Sequence, residues 1–64
     1  MKELDAVALK ESKNGLVAGS VGTIVHEHVK GEMFVVEFCD DDGCTIALED
    51  LSREQLERVS EFKA

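Results

Sequence analysis

Seven Lys plus Arg stand against fourteen Asp plus Glu in 64 residues that include three Phe and no Trp, Tyr or Pro, which describes one small domain of net charge −7. A chain this short buries only about 60% of the surface its unfolded form exposes, too little for the deep cavity most enzymes need. The acidity argues against nucleic acid and anionic lipid, both of which recruit clustered Lys and Arg. The expectation is a noncatalytic protein with no cofactor and no metal, whose partner is another protein.

Hydrophobic residues make up 44% and charged residues 33%, enough of the first to fold and of the second to stay soluble. The longest apolar runs are only a few residues, as in residues 33–36, far short of the roughly 20 needed to span a bilayer. Met1-Lys2-Glu3-Leu4-Asp5 lacks the apolar stretch of a secretory signal, so a cytoplasmic location and free thiols at Cys39 and Cys44 are expected.

In chain order, residues 5–10 alternate, with Val7 and Leu9 on one face, and read as a first strand. Residues 11–19, with Ser, Lys, Asn and two Gly, have loop composition. Residues 20–29, 33–38 and 44–48 are strands rich in β-branched and aromatic side chains, separated by Gly-bearing turns. In Asp40-Asp41-Asp42-Gly43, a three-residue loop with Gly43 as a left-handed bulge pairs Asp40 with Cys44, Phe38 with Ile46 and Val36 with Leu48. The same geometry at Gly31 pairs Ile24 with Val36, His26 with Phe34 and Gly22 with Phe38, the glycine leaving room for the ring. The expected core is Phe34, Val36, Phe38, Ile24, Ile46 and Leu48, joined by Val7, Leu9, Val21, Leu51, Leu56 and Val59.

The C-terminal stretch allows two readings. Ser52-Arg53-Glu54-Gln55 fits a capping box, and Leu56, Val59 and Phe62 have helical spacing, which would give a helix over residues 53–62. A single capped turn followed by a strand over residues 56–59 would instead close a five-stranded barrel and remove the open sheet edge.

Leu4-Asp5-x-Val7-Ala8-Leu9, Gly19-x-Val21-Gly22-Thr23-Ile24-Val25, Phe34-x-Val36-Glu37-Phe38, Gly43, Thr45, Ala47-Leu48 and Gln55-Leu56-x-Arg58 form an ordered series of short motifs. The series, covering about residues 2–59, resembles the small bacterial family filed as domain of unknown function 4926. The resemblance implies an all-β fold, a small five-stranded SH3-like barrel with a one-turn helix before the last strand. It carries no catalytic residues, and His26, His28, Cys39 and Cys44 fall outside its pattern. The Gly19-to-Val25 element is also similar to the KOW motif of nucleic-acid-binding barrels, but Lys10, Lys13 and Lys30 stand among an acidic majority.

Two clusters invite chemistry, and the fold raises one binding mode. His26-Glu27-His28 sets two imidazoles on one strand face about 7 Å apart, but two ligands are few for a metal, and the expected register points the Cys39 and Cys44 thiols apart. A partly exposed pair at the barrel rim is the plainer reading. Asp40-Asp41-Asp42-Gly43 has consecutive carboxylates where calcium loops space them alternately, so it reads as a solvated turn. Polyproline recognition needs aromatic side chains on the surface, whereas here Phe34 and Phe38 are assigned to the core.

Residues 31–52 hold seven acids and no Lys or Arg. If the third and fourth strands present them together, Asp40, Asp41, Asp42, Glu49 and Asp50 form an acidic surface for a basic protein. Val25, Val35 and Ala47 on the outer face, Met33 at the hairpin and Phe62 in the tail mark either a protein interface or the site where the C-terminal segment folds back. The chain is therefore expected to be an accessory or neutralising partner of a basic protein, docking through these acids with Val25 and Val35. The alternatives are a KOW-like nucleic-acid-binding barrel and a structural homodimer closing over Val25 and Val35.

Overall fold

Runs of Val, Ile, Thr and Phe punctuated by glycine turns give an all-β chain; the computed structural model describes residues 1–40 and 42–60. Strands β1 (Ala6–Leu9), β2 (Val21–Val29), β3 (Met33–Cys39), β4 (Thr45–Ser52) and β5 (Leu56–Ser60) form one antiparallel sheet in the order β4-β3-β2-β1-β5. A 3-10 turn at Arg53–Gln55 precedes β5. Gln55 Oε1 accepts the Ser52 N–H at 2.9 Å and the Ser52 hydroxyl at 3.2 Å. The capping residues thus act as the sequence predicts, but the helix stops after one turn because Leu56 is drawn into the core beside Leu9 in the β1–β5 ladder. Phe62 lies outside the described residues. No helix among the described residues is long and apolar enough to cross a membrane.

The strand order dictates the shape. In a flat sheet β4 and β5 would lie about 19 Å apart, four strand spacings, yet the turn joining them rises only about 6 Å. The sheet must curl until its ends meet, and Leu51 of β4 and Leu56 of β5 accordingly share one core with Val7, Leu9, Ile24, Phe34, Val36 and Phe38. No β4–β5 ladder forms among the described residues, so both strands keep a free edge there.

The register confirms the close approach at the centre and corrects the flanks. Gly22 pairs with Phe38 and Ile24 with Val36, as predicted. Beyond Ile24 a bulge at Val25 shifts the ladder, so that His26 faces Val35 and Glu27 takes the place opposite Phe34. Glu27 Oε2 there accepts the Gly31 N–H at 2.7 Å and closes the β2–β3 turn.

In the β3–β4 hairpin the loop is as expected, with the Asp40 N–H donating to the Cys44 carbonyl at 2.9 Å and Gly43 at φ +83°. The ladder then slips by one residue between Cys39 and Phe38. Phe38 pairs with Ala47 and Val36 with Glu49, in place of Ile46 and Leu48. A one-residue slip inverts every side chain of the strand. Ala47 and Leu51 turn inward, whereas Ile46 (57% exposed) and Leu48 (58%) leave the core assigned to them. The slip is favoured because it sets Leu51 opposite Phe34 and the small Ala47 opposite the Phe38 ring. Val21 and Val59 are also exposed: Val21 pairs with outward-facing Ala8, and Val59 sits at the β1–β5 bulge.

Residues 2–5 form a reciprocal turn before β1. The Asp5 N–H donates to the Lys2 carbonyl at 3.1 Å, and buried Asp5 accepts the Lys2 N–H on Oδ2 at 3.0 Å. Leu4 occupies its third position at φ +73°, where type II turns favour glycine. A left-handed non-glycine residue costs about 1–2 kcal/mol, partly offset in glycine by the freedom it gains on unfolding. Leu4→Gly is therefore expected to raise stability by about 0.5–1 kcal/mol in urea denaturation. A lower midpoint would show that packing of the half-exposed Leu4 side chain outweighs the strain.

Candidate functional site

The acidic residues singled out in the sequence do not form one continuous surface. Asp40 uses its carboxylate locally, Oδ1 accepting the N–H groups of Asp42 at 3.0 Å and Cys44 at 2.9 Å, the usual role of Asp in a tight turn. Asp42 is exposed at the hairpin tip, and Asp41 lies outside the described residues. Glu49 and Asp50 are at the far end of β4, about 20 Å along the strand, and they point to opposite faces. Glu49 is half-buried and accepts Asn14 Nδ2 at 2.8 Å; Asp50 is on the outer face.

Between the two acidic ends lie Ile46 and Leu48, exposed on the outer side of an edge strand. Lys13, in a small turn closed by the Lys13–Leu16 bridge, donates from Nζ to the Asp50 carbonyl at 3.2 Å. That carbonyl therefore points away from β3, and the alternation of an antiparallel ladder sets the Leu48 N–H and C=O outward as well. The β1–β2 loop covers the Glu49–Asp50 end of the edge and leaves the Ile46–Leu48 half open. Sequence reasoning missed this apolar pair as surface; the signal was the opposite parity of Ala47 and Leu51. Of the two valines assigned to the interface, Val35 is half-buried in the row His26–Val35–Asp50, and exposed Val25 sits at the β2 bulge, one strand further from β4.

The two histidines lie together on the outer face, with ring centroids 6.0 Å apart and planes inclined by 17°. Glu3 Oε1 is 4.0 Å from His26 Nδ1, and Asp50 Oδ1 is 3.6 Å from His28 Nε2. Cys39 and Cys44 are exposed and not bridged to each other; Cys39 Sγ lies 3.9 Å from Glu37 Oε1, while Glu37 Oε2 accepts the Thr45 hydroxyl at 2.8 Å. Among the described residues no group of three or more His, Cys, Asp or Glu side chains could hold a metal ion.

A depression of about 310 Å³ is lined by Glu32, Met33, Ser52, Arg53 and Glu54, where the chain passes from β4 into the 3-10 turn. Its hydroxyl, on Ser52, is committed to Gln55, and the Arg53 N–H is committed to the Glu32 carbonyl at 2.8 Å. Met33, singled out in the sequence at the hairpin, lines it, whereas Asp40, Asp42, Glu49, Asp50, Val25 and Val35 do not.

The family model described as Domain of unknown function (DUF4926) matches residues 3–58, from the Leu4 turn through Arg58. The chain belongs to this family. The DUF4926 match takes in strands β1 to β4, the 3-10 turn and all of β5 except Val59 and Ser60. Both the exposed edge of β4 and the histidine pair thus lie within the DUF4926 domain. Comparison with curated proteins and with solved structures gives no match.

Proposed function

We propose that this SH3-like domain is a noncatalytic protein-binding module that takes an extended basic segment of a partner along the open edge of β4. The observation that carries the reading is the exposed pair Ile46 and Leu48 on an edge strand, with Asp40 and Asp42 at one end and Asp50 at the other. An added strand draws affinity from main-chain hydrogen bonds and selectivity from its alternate side chains. Edges are commonly protected by Lys or Pro, by bulges, by inward charges or by a covering loop; β4 has neither Lys nor Pro, and the loop contacts of Lys13 and Asn14 reach only its Glu49–Asp50 end. Acids at both ends suit a segment with an apolar centre and flanking Lys or Arg, and the net charge of −7 steers it. A second copy is less well matched, because pairing β4 with its symmetry mate would bring Asp42 toward Asp50.

The test is capture of a binding protein by the full chain at low and at moderate salt, beside an Ile46→Lys/Leu48→Lys variant. Both positions are exposed, so the variant is expected to fold within about 0.5 kcal/mol of the parent. Capture of a basic protein that weakens with salt and is lost in the variant supports the reading. Retention that is indifferent to salt and to both substitutions overturns it.

A further inference from the structure

We propose that His26 and His28 form a surface site for a late first-row divalent cation of the zinc(II)–copper(II) class, with the two imidazoles as its protein ligands and water completing the coordination. The first ground is the bulge at Val25. In an unbroken ladder His26 would share the inward parity of Ile24 and press against Phe34; the bulge turns it out, so that it faces Val35 and shares the outer face with His28. Bulges of this kind commonly re-aim side chains beside functional sites.

The second ground is the placement of the carboxylates. Glu3 stands beside Nδ1 of His26 and Asp50 beside Nε2 of His28. These are ion-pair rather than hydrogen-bond distances, and they leave the other nitrogen of each ring, Nε2 of His26 and Nδ1 of His28, on the side away from the neighbouring acid. Carboxylates on the second nitrogen are the usual partners of metal-bound histidine, fixing the tautomer and raising basicity. They also place negative charge around the site, on a chain already at −7.

The third ground is distance. With metal–nitrogen bonds of about 2.0 Å, two imidazoles at a tetrahedral angle have centroids about 5 Å apart. The observed 6.0 Å lies about 1 Å beyond that; because a shared cation must sit in both ring planes, the rings, now stacked at 17°, must also turn about their side-chain torsions, which side chains 59% and 40% exposed have room to do. Two imidazoles without thiolate favour copper(II) over zinc(II) and nickel(II), following the general order of divalent affinities.

The test is titration of the full, isotope-labelled chain with zinc chloride in chelator-free buffer, following the two imidazole NMR signals, with copper(II) and nickel(II) by calorimetry. The expected result is that both ring signals move together and saturate at one equivalent, unchanged in a Cys39→Ser/Cys44→Ser variant. His26→Gln and His28→Gln should each weaken binding at least about tenfold, and Asp50→Asn by about tenfold through His28. Unmoved or non-saturating imidazole signals, shifts centred on the cysteines or the aspartate loop, or histidine variants with unaltered affinity would overturn the site.

Discussion

Gly22→Ala is expected to lower the stability of this domain by about 3 kcal/mol, a large share of the roughly 3–10 kcal/mol available to a chain of this size. A Cβ at this position would lie 2.7 Å from both the Glu37 carbonyl oxygen and Val36 Cγ1, and 2.9 Å from Phe38 Cδ1. Two of these contacts are with core side chains that are already fully enclosed, and the third is main chain held in the β2–β3 ladder. None is the loose end of a flexible side chain, so relief requires the two strands to part. Gly22 does not have a positive φ, so backbone conformation does not oppose alanine; in a strand with space, Gly→Ala would stabilise by about 0.4–1 kcal/mol. The sign of the effect therefore reports directly on the packing. Urea denaturation should show a midpoint displaced by about 2–3 M, or a chain unfolded without denaturant. A midpoint equal to or above the parent's would refute the close approach of β2 and β3.

Leu51→Ala is expected to cost about 2–5 kcal/mol, and Leu48→Ala no more than about 0.5 kcal/mol. The two leucines are three residues apart on one strand and differ only in parity. Leu51 is fully buried opposite Phe34, whereas Leu48 is exposed opposite Glu37. Truncating Leu51 leaves a cavity at the junction of β3, β4 and the core, while truncating Leu48 removes contact with water. In the hairpin register without the slip, Leu48 would face Val36 and the order of the two effects would reverse. Equal losses, or a larger loss at Leu48, would overturn the slipped ladder. Hydrogen exchange of the β4 amides in the parent should agree, with slow exchange confined to positions directed toward β3.

These contrasts show which parts of the fold could be read from the residues. The hairpin loop at Gly43 and the crossing of Gly22 over Phe38 were legible because each depends on glycine for a local reason, a positive φ in one case and a missing Cβ in the other. The one-turn capped stop at Ser52–Gln55 was legible as chemistry, but its length was not, since Leu56 and Val59 suit either period. The slip in β4 was hidden because apolar side chains occur at both parities, Ile46 and Leu48 against Ala47 and Leu51. A strand read as ending at residue 48 gave Leu51 no part in choosing between them. The bulge at Val25 has no glycine to announce it, so the outward turn of His26 emerged only from the three-dimensional ladder. The acids were visible as composition, but their division between the two ends of β4 followed from strand length and from the local use of Asp40 in its own turn.

The curl of the sheet has a kinetic consequence. Its most remote pairing, the seam between the two ends of the chain, is the ladder of β1 with β5, which joins Leu9 to Leu56 and Ala6 to Ser60, nearly the full length of the described chain. The two hairpins at Gly31 and Gly43 can form by closing short loops, but this seam must bring remote segments together before their contacts compensate the lost chain entropy. Leu9 and Leu56 are both core residues, so an unsealed chain carries exposed apolar surface and an unpaired β1 edge at the same place. The rate at which the first and last strands find each other therefore governs both how fast the domain folds and how long it remains open to aggregation.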